Sequence, residues 1–145
     1  MTKTPAFAAA LAVTLAAAPA LADEARPLVT VVTAENPQTQ LMAMVLNTQA
    51  MEQGHDLHVL LCGPGGDLAL ADAPQSATAP QPPRDFSPQG MLKGLIERGA
   101  TVEVCAIYLP GLGADESVLI DGVGVAQPPA MAAAMLGDET MVWSF

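Results

Sequence analysis

Cys62 and Cys105 are the residues with the most chemistry to offer. Cys105 stands near the end of the β-branched run in VEVCAIYLPGLGADE, residues 102–116, and Cys62 closes LHVLLC, residues 57–62. A thiol so placed has three uses: a thiolate nucleophile, half of a disulfide, or a small apolar side chain in the core, where free cysteine is often found. Asp115, Glu116 and Asp121 follow Cys105 and would disfavour a thiolate if they lay close. Helix amide ends at the same edge would act the other way, so the sequence leaves the sign of the effect open.

Other chemical signals are weaker. CGPGGD after Cys62 lacks both the G-x-G-x-x-G spacing and the lysine of a phosphate loop, so it reads as a tight strand exit through Gly63, Gly65 and Gly66. His55 and His58 stand in an H-x-x-H spacing that suits a helix better than a turn entering a strand. No third ligand is evident, and the histidines read as structural. Met42, Met44 and Met51 fall in one expected helix and Met131 and Met135 in another, which points to packing rather than to copper. No C-x-x-C pair supports a thiol peroxidase. No metal and no cofactor is expected.

The elements that must hold these cysteines follow from hydropathy and punctuation. LVTVVT, residues 28–33, reads as a strand buried on both faces. Asn36 and Pro37 open a helix to about Gln53, with Leu41, Met42, Val45 and Leu46 expected on its apolar face and Gly54 as its stop. Residues 57–62 form a second strand. Ser87 and Pro88 open a second helix that ends at Gly99, and Thr101 to Ile107 form a third strand. GVGVA, residues 122–126, is a short fourth strand, and a helix opened by the prolines after Gln127 leads through Leu136 to a fifth strand at residues 140–145. Strand, helix and strand in alternation predict an α/β fold: a three-layer α/β/α sandwich on a mostly parallel five-stranded sheet, Rossmann-like. Ligands in such sheets bind beyond the carboxyl ends of the strands, where both cysteines fall. If the second and third strands are neighbours, their ends lie about 4.8 Å apart, within reach of a disulfide.

Residues 1–22 read as a secretory signal. Lys3 gives a positive start, Ala6 to Ala18 an apolar stretch shorter than the roughly 20 residues of a membrane span, and Ala20-Leu21-Ala22 a small-x-small cleavage pattern. Cleavage before Asp23 would leave residues 23–145 as one domain, exported to the periplasm, with no membrane insertion afterwards. That part carries four Lys and Arg against 15 Asp and Glu, which excludes the basic patch that nucleic acid or anionic lipid requires. An oxidising compartment makes two cysteines a candidate disulfide, yet two are too few for a disulfide scaffold, so an aliphatic core must hold the domain. Residues 73–86, rich in Ala, Pro, Gln and Ser, are expected as a flexible loop.

GATVEVCAIYLPGLG, followed by DGVGVAQPPAMAAAMLGDETMVWSF, resembles the DsrE/DsrF-like family, which includes sulfur-relay subunits of tRNA thiolation and sulfur oxidation. The resemblance covers nearly all of residues 23–145, and its most specific element is the strand end Val104-Cys105 with its loop. It implies a Rossmann-like α/β/α fold, a homo-oligomer or related sulfur-relay subunits as partners, and a role for Cys105 as the carrier of sulfur as a persulfide. Relay members often carry an arginine soon after the cysteine, whereas AIYLPGLGADE has no basic residue.

Two functions from different classes follow. In one, the protein is a periplasmic sulfur carrier or thiol-redox protein: Cys105 accepts sulfur from a small donor, and Cys62 is a second thiol that resolves it or stands by. In the other, it is a non-catalytic binding or assembly module whose cysteines are structural.

Overall fold

The computed structural model describes residues 25–145. The expected signal segment, residues 1–22, lies outside the described residues. Five strands, β1 (Leu28–Val32), β2 (Leu57–Leu61), β3 (Thr101–Val104), β4 (Val123–Val125) and β5 (Met141–Ser144), form one sheet in the order β4-β3-β2-β1-β5, and every pair is parallel. Helices α1 (Pro37–Glu52) and α3 (Pro88–Glu97) pack side by side on one face. The chain steps from β1 through β4 in one direction and must then return past β1 to place β5. A right-handed return puts its helix, α5 (Pro128–Met135), on the opposite face. There Met131 packs with Val29 and Ala126. The result is the expected three-layer sandwich, with an all-parallel sheet.

Local chemistry sets the helix ends. Asn36 Oδ1 accepts hydrogen bonds from the Gln38 and Thr39 amides at 2.9 and 3.1 Å, and Pro37 follows it at the first helical position. Ser87 Oγ accepts from the Gly90 amide ahead of α3. Gly54 and Gly99 leave α1 and α3 in the left-handed conformation, where a side chain would be strained.

The buried face of α1 differs from the expected one. Ala43, Met44 and Ala50 are buried together with the polar Gln40 and Asn47, whereas Met42 and Leu46 are exposed. The reason lies in β1 and the loop after it. Thr30 Oγ1 donates to Asn47 Oδ1 at 2.7 Å, and Gln40 Nε2 donates to the Ala34 carbonyl at 2.7 Å, so each amide is anchored inside through one of its two polar atoms, while Gln40 Oε1 and Asn47 Nδ2 have no partner. Met44 and Met131 are core residues as expected, while Met42 is not.

Residues 63–86 are more structured than their composition predicts. A 3-10 turn spans Gly63–Ala69, a four-residue helix α2 spans Gln75–Thr78 with Ala77 buried, and Gln81 bridges Phe86 in antiparallel fashion. Part of the segment expected as a flexible loop, residues 73–86, therefore holds a helix and a backbone bridge.

Candidate functional site

The site is built where β2 and β3 end. Their register pairs Leu61 with Val104, which puts Cys62 opposite Cys105 one step further on. Backbone bonds continue past the strands: the Cys62 amide donates to the Val32 carbonyl at 3.0 Å and the Cys105 amide to the Leu61 carbonyl at 2.9 Å. Alternation decides where the side chains go. Val59 and Leu61 on β2, and Val102 and Val104 on β3, turn into the core against α1 and α3, so Cys62 and Cys105 share the other face. Both are half-buried.

The two sulfurs are joined as a disulfide, with a Cα separation of 5.2 Å that lies inside the range such a bridge allows. Neither cysteine is free. Of the three uses that the sequence leaves open for Cys105, the structure holds the second. Cys105 Sγ also lies 3.4 Å from the Leu61 carbonyl oxygen, the acceptor nearest to hand for a thiol at this position.

Behind each cysteine the chain is tied to the other cysteine's loop. Past Cys105 the strand stops, and a five-residue helix, α4 (Tyr108–Leu112), begins where a continued strand to Ile107 was expected. The Tyr108 phenol donates to Asp67 Oδ1, in the turn behind Cys62, at 2.8 Å. Burial, that hydrogen bond and the negative charge of Asp67 all push the phenol pKa above its ordinary value. The Tyr108 ring also covers Gly66 so closely that an added Cβ there would meet ring carbon Cε2 at 2.3 Å. Gly65 is fixed in the same way from below, since its Cβ would fall 2.1 Å from the Val32 carbonyl oxygen. CGPGGD is thus a strand exit pressed between β1 and Tyr108, as its lack of a phosphate-loop spacing implies. Two backbone bonds, from the Ala71 amide to Val118 and from the Ile120 amide to Ala69, close this turn onto the segment before β4. Gln89 Nε2 on α3 donates to the Leu68 and Leu70 carbonyls and holds it from the other side.

The histidines have separate partners. His55 Nδ1 lies 3.0 Å from the Arg26 amide nitrogen, and His58 Nε2 lies 2.7 Å from Glu103 Oε2 across β2 and β3. Among the described residues no cluster of His, Cys, Asp and Glu has the makings of a metal site. Sequence reasoning missed both the His58–Glu103 and Tyr108–Asp67 pairs, because each joins residues more than 40 positions apart. The one usable signal was strand adjacency: with β2 beside β3, His58 and Glu103 necessarily share the face of Cys62 and Cys105.

Of the carboxylates after Cys105, Asp115 caps a short 3-10 turn. Hydrogen bonds from Ser117 hold its carboxyl below the usual range. Asp115 and Glu116 rim a shallow cleft of about 470 Å³ whose floor includes Ala106 and Leu109, next to Cys105 in the chain. No Lys, Arg or His occurs in residues 59–83 after His58 or in residues 105–127, so neither cysteine loop carries a cation.

A model of the DsrE/DsrF-like family matches residues 27–143. Among solved structures, the ychN protein from E. coli superposes with a TM-score of 0.66 at 20% identity, covering 83% of this chain and 99% of its own. A protein of unknown function, MTH1491 from Methanobacterium thermoautotrophicum, gives a TM-score of 0.57 at 14% identity, covering 82% and 99%. At these identities the likeness is one of fold. No curated protein matches the chain significantly in sequence.

Proposed function

The chain belongs to the DsrE/DsrF-like family, whose membership points to a sulfur-relay type of role, and from that premise we propose that it is a periplasmic sulfur carrier of the thiol-redox kind. Cys105 is the residue that takes a sulfane sulfur as a persulfide. One observation carries the reading: Cys105 directly follows β3 at the carboxyl edge of a parallel sheet, half-buried, with its sulfur already engaged in sulfur–sulfur bonding to Cys62. A carrier needs an accessible sulfur able to exchange, because the thiolate is the nucleophile that opens an S–S bond. In this reading the disulfide is the resting form and its reduction frees the carrier. The signal-like pattern of residues 1–22 supports export, and exposed Ile107 and Leu136 support an oligomer or a related relay subunit as partner.

The test is made on the Cys62→Ser protein, reduced and then exposed to inorganic polysulfide. Intact mass and peptide mapping should find one added sulfur atom on Cys105. A folded Cys62→Ser protein that gains no sulfur overturns the proposal.

A second reading is favoured by the same bridge. A disulfide that closes one cysteine loop onto the other, backed by Tyr108 and Asp67, is also what a binding or assembly module would use for stability alone. That module would keep its bridge under mild reductant, whereas a carrier must open it.

A further inference from the structure

Sulfur carriage by Cys105 asks of Cys62 only that it close the resting disulfide, and its position suits it to a further step. We propose that the pair acts as a dithiol that reduces sulfane sulfur: Cys105 takes the sulfur, and Cys62 expels it as hydrogen sulfide while closing the disulfide. The inference rests on the reading of Cys105 as sulfur acceptor.

Three observations carry it. The Cα atoms are 5.2 Å apart on adjacent strands in register, so Cys62 reaches Cys105 Sγ with no movement of the backbone. The loops behind the two residues stay tied by the Tyr108–Asp67 hydrogen bond and by the bridge of Leu70 to Leu119. Opening the disulfide therefore leaves the thiols side by side. Finally, neither loop holds a Lys, Arg or His, so no side-chain cation in them stabilises a long-lived persulfide anion. Loops without a cation suit a persulfide that is consumed where it forms.

The steps balance. The Cys105 thiolate attacks the terminal sulfur of a low-molecular-weight persulfide; the donor S–S bond breaks and the donor leaves as its thiolate. The Cys62 thiol then attacks Cys105 Sγ. The bond from Sγ to the carried sulfur breaks, its electron pair departs on that sulfur, and the proton that Cys62 gives up leaves with it as hydrosulfide. One sulfane sulfur is reduced and two thiols are oxidised to the disulfide. A dithiol reductant, through a mixed disulfide, supplies the two electrons and two protons that restore both thiols.

The experiment uses the reduced protein, freed of reductant, with glutathione persulfide as probe, since its own remainder is a thiol and not sulfide. Wild-type protein should release about one equivalent of sulfide above a protein-free control, lose both thiols and return to the mass of the disulfide form. Cys62→Ser and Cys62→Ala proteins should keep the sulfur on Cys105 and release no sulfide above that control. If wild-type protein also keeps the sulfur, with Cys62 still a free thiol, the reductase inference is overturned while Cys105 stands as acceptor. If no folded variant takes up sulfur, the acceptor reading fails and this inference falls with it.

Discussion

The Tyr108 phenol donates its proton to Asp67 Oδ1 across 2.8 Å, joining the helix behind Cys105 to the turn behind Cys62. The ring beneath that hydroxyl is buried and covers Gly66. This contact involves neither sulfur, so it should keep the two strand ends together when the sulfurs are reduced.

Replacing Tyr108 with Phe keeps the ring and removes the bond. A hydrogen bond to a charged acceptor contributes about 1.5–3 kcal/mol, and the partial exposure of Asp67 places this one near the lower end. Urea titration of the reduced Tyr108→Phe protein should show that loss. A pH series should show a second difference. The folded protein holds the phenol proton to higher pH than the unfolded chain does, so between the two pKa values the unfolded state binds fewer protons. The contribution of Tyr108 to stability is then level up to about pH 10, the unfolded value, and falls above it. The variant should lack that part of the alkaline fall.

The disulfide joins residues 43 positions apart. Chain-entropy reasoning for a loop of that length gives about 4 kcal/mol of stabilisation, less whatever order the reduced chain retains. Protein purified without reductant should show no reactive thiols, and two after reduction. The denaturation midpoint should fall on reduction, and a Cys62→Ser, Cys105→Ser protein should match the reduced wild type and ignore reductant.

Much of this arrangement was legible in the sequence, because the signals for strands and helix ends are local. Asn36 with Pro37, Ser87 with Pro88, and the glycines at 54 and 99 mark ends that the structure reproduces to within a residue or two. The inner face of α1 was not legible. Reading apolar residues as inward turned the helix wrongly, because Asn47 gains its partner from Thr30, 17 residues away. α4 was missed since a five-residue helix containing Pro110 and Gly111 has no periodicity to read. The pairing of Cys62 with Cys105 depended on strand order, which no local pattern encodes.

The glycines after Cys62 should rank by what surrounds them. Gly65→Ala places a methyl against the Val32 carbonyl, a backbone atom in the sheet that cannot turn aside, and should cost more than about 3 kcal/mol. Gly66→Ala presses on the Tyr108 ring, which can shift only by weakening its bond to Asp67; a cost of about 1–3 kcal/mol is expected. Gly63 has open space around its Cβ position but a φ of 51°, so Gly63→Ala should cost about 1–2 kcal/mol. Thermal or urea midpoints of the three oxidised proteins check the order. A Gly63→Ala protein less stable than Gly65→Ala would contradict it.

Ile107 stands two residues after Cys105 and is 80% exposed, so its side chain can change without disturbing the core. An arginine here restores the kind of positive neighbour that the loop lacks. At a separation of roughly 7 Å in a water-like medium, a unit charge favours the thiolate by about 0.6 kcal/mol, and by more where the dielectric is lower. In a Cys62→Ser background, Ile107→Arg should therefore raise the rate of alkylation of Cys105 at neutral pH about two- to fivefold. The gain should shrink as salt is added, because screening acts on an exposed charge. Ile107→Gln, similar in polarity and without charge, should leave the rate near its starting value. If Gln and Arg act alike, the effect is one of access rather than of charge. If neither acts, the half-buried Cys105 sulfur is shielded from the position of residue 107, and the missing cation does not limit its reactivity.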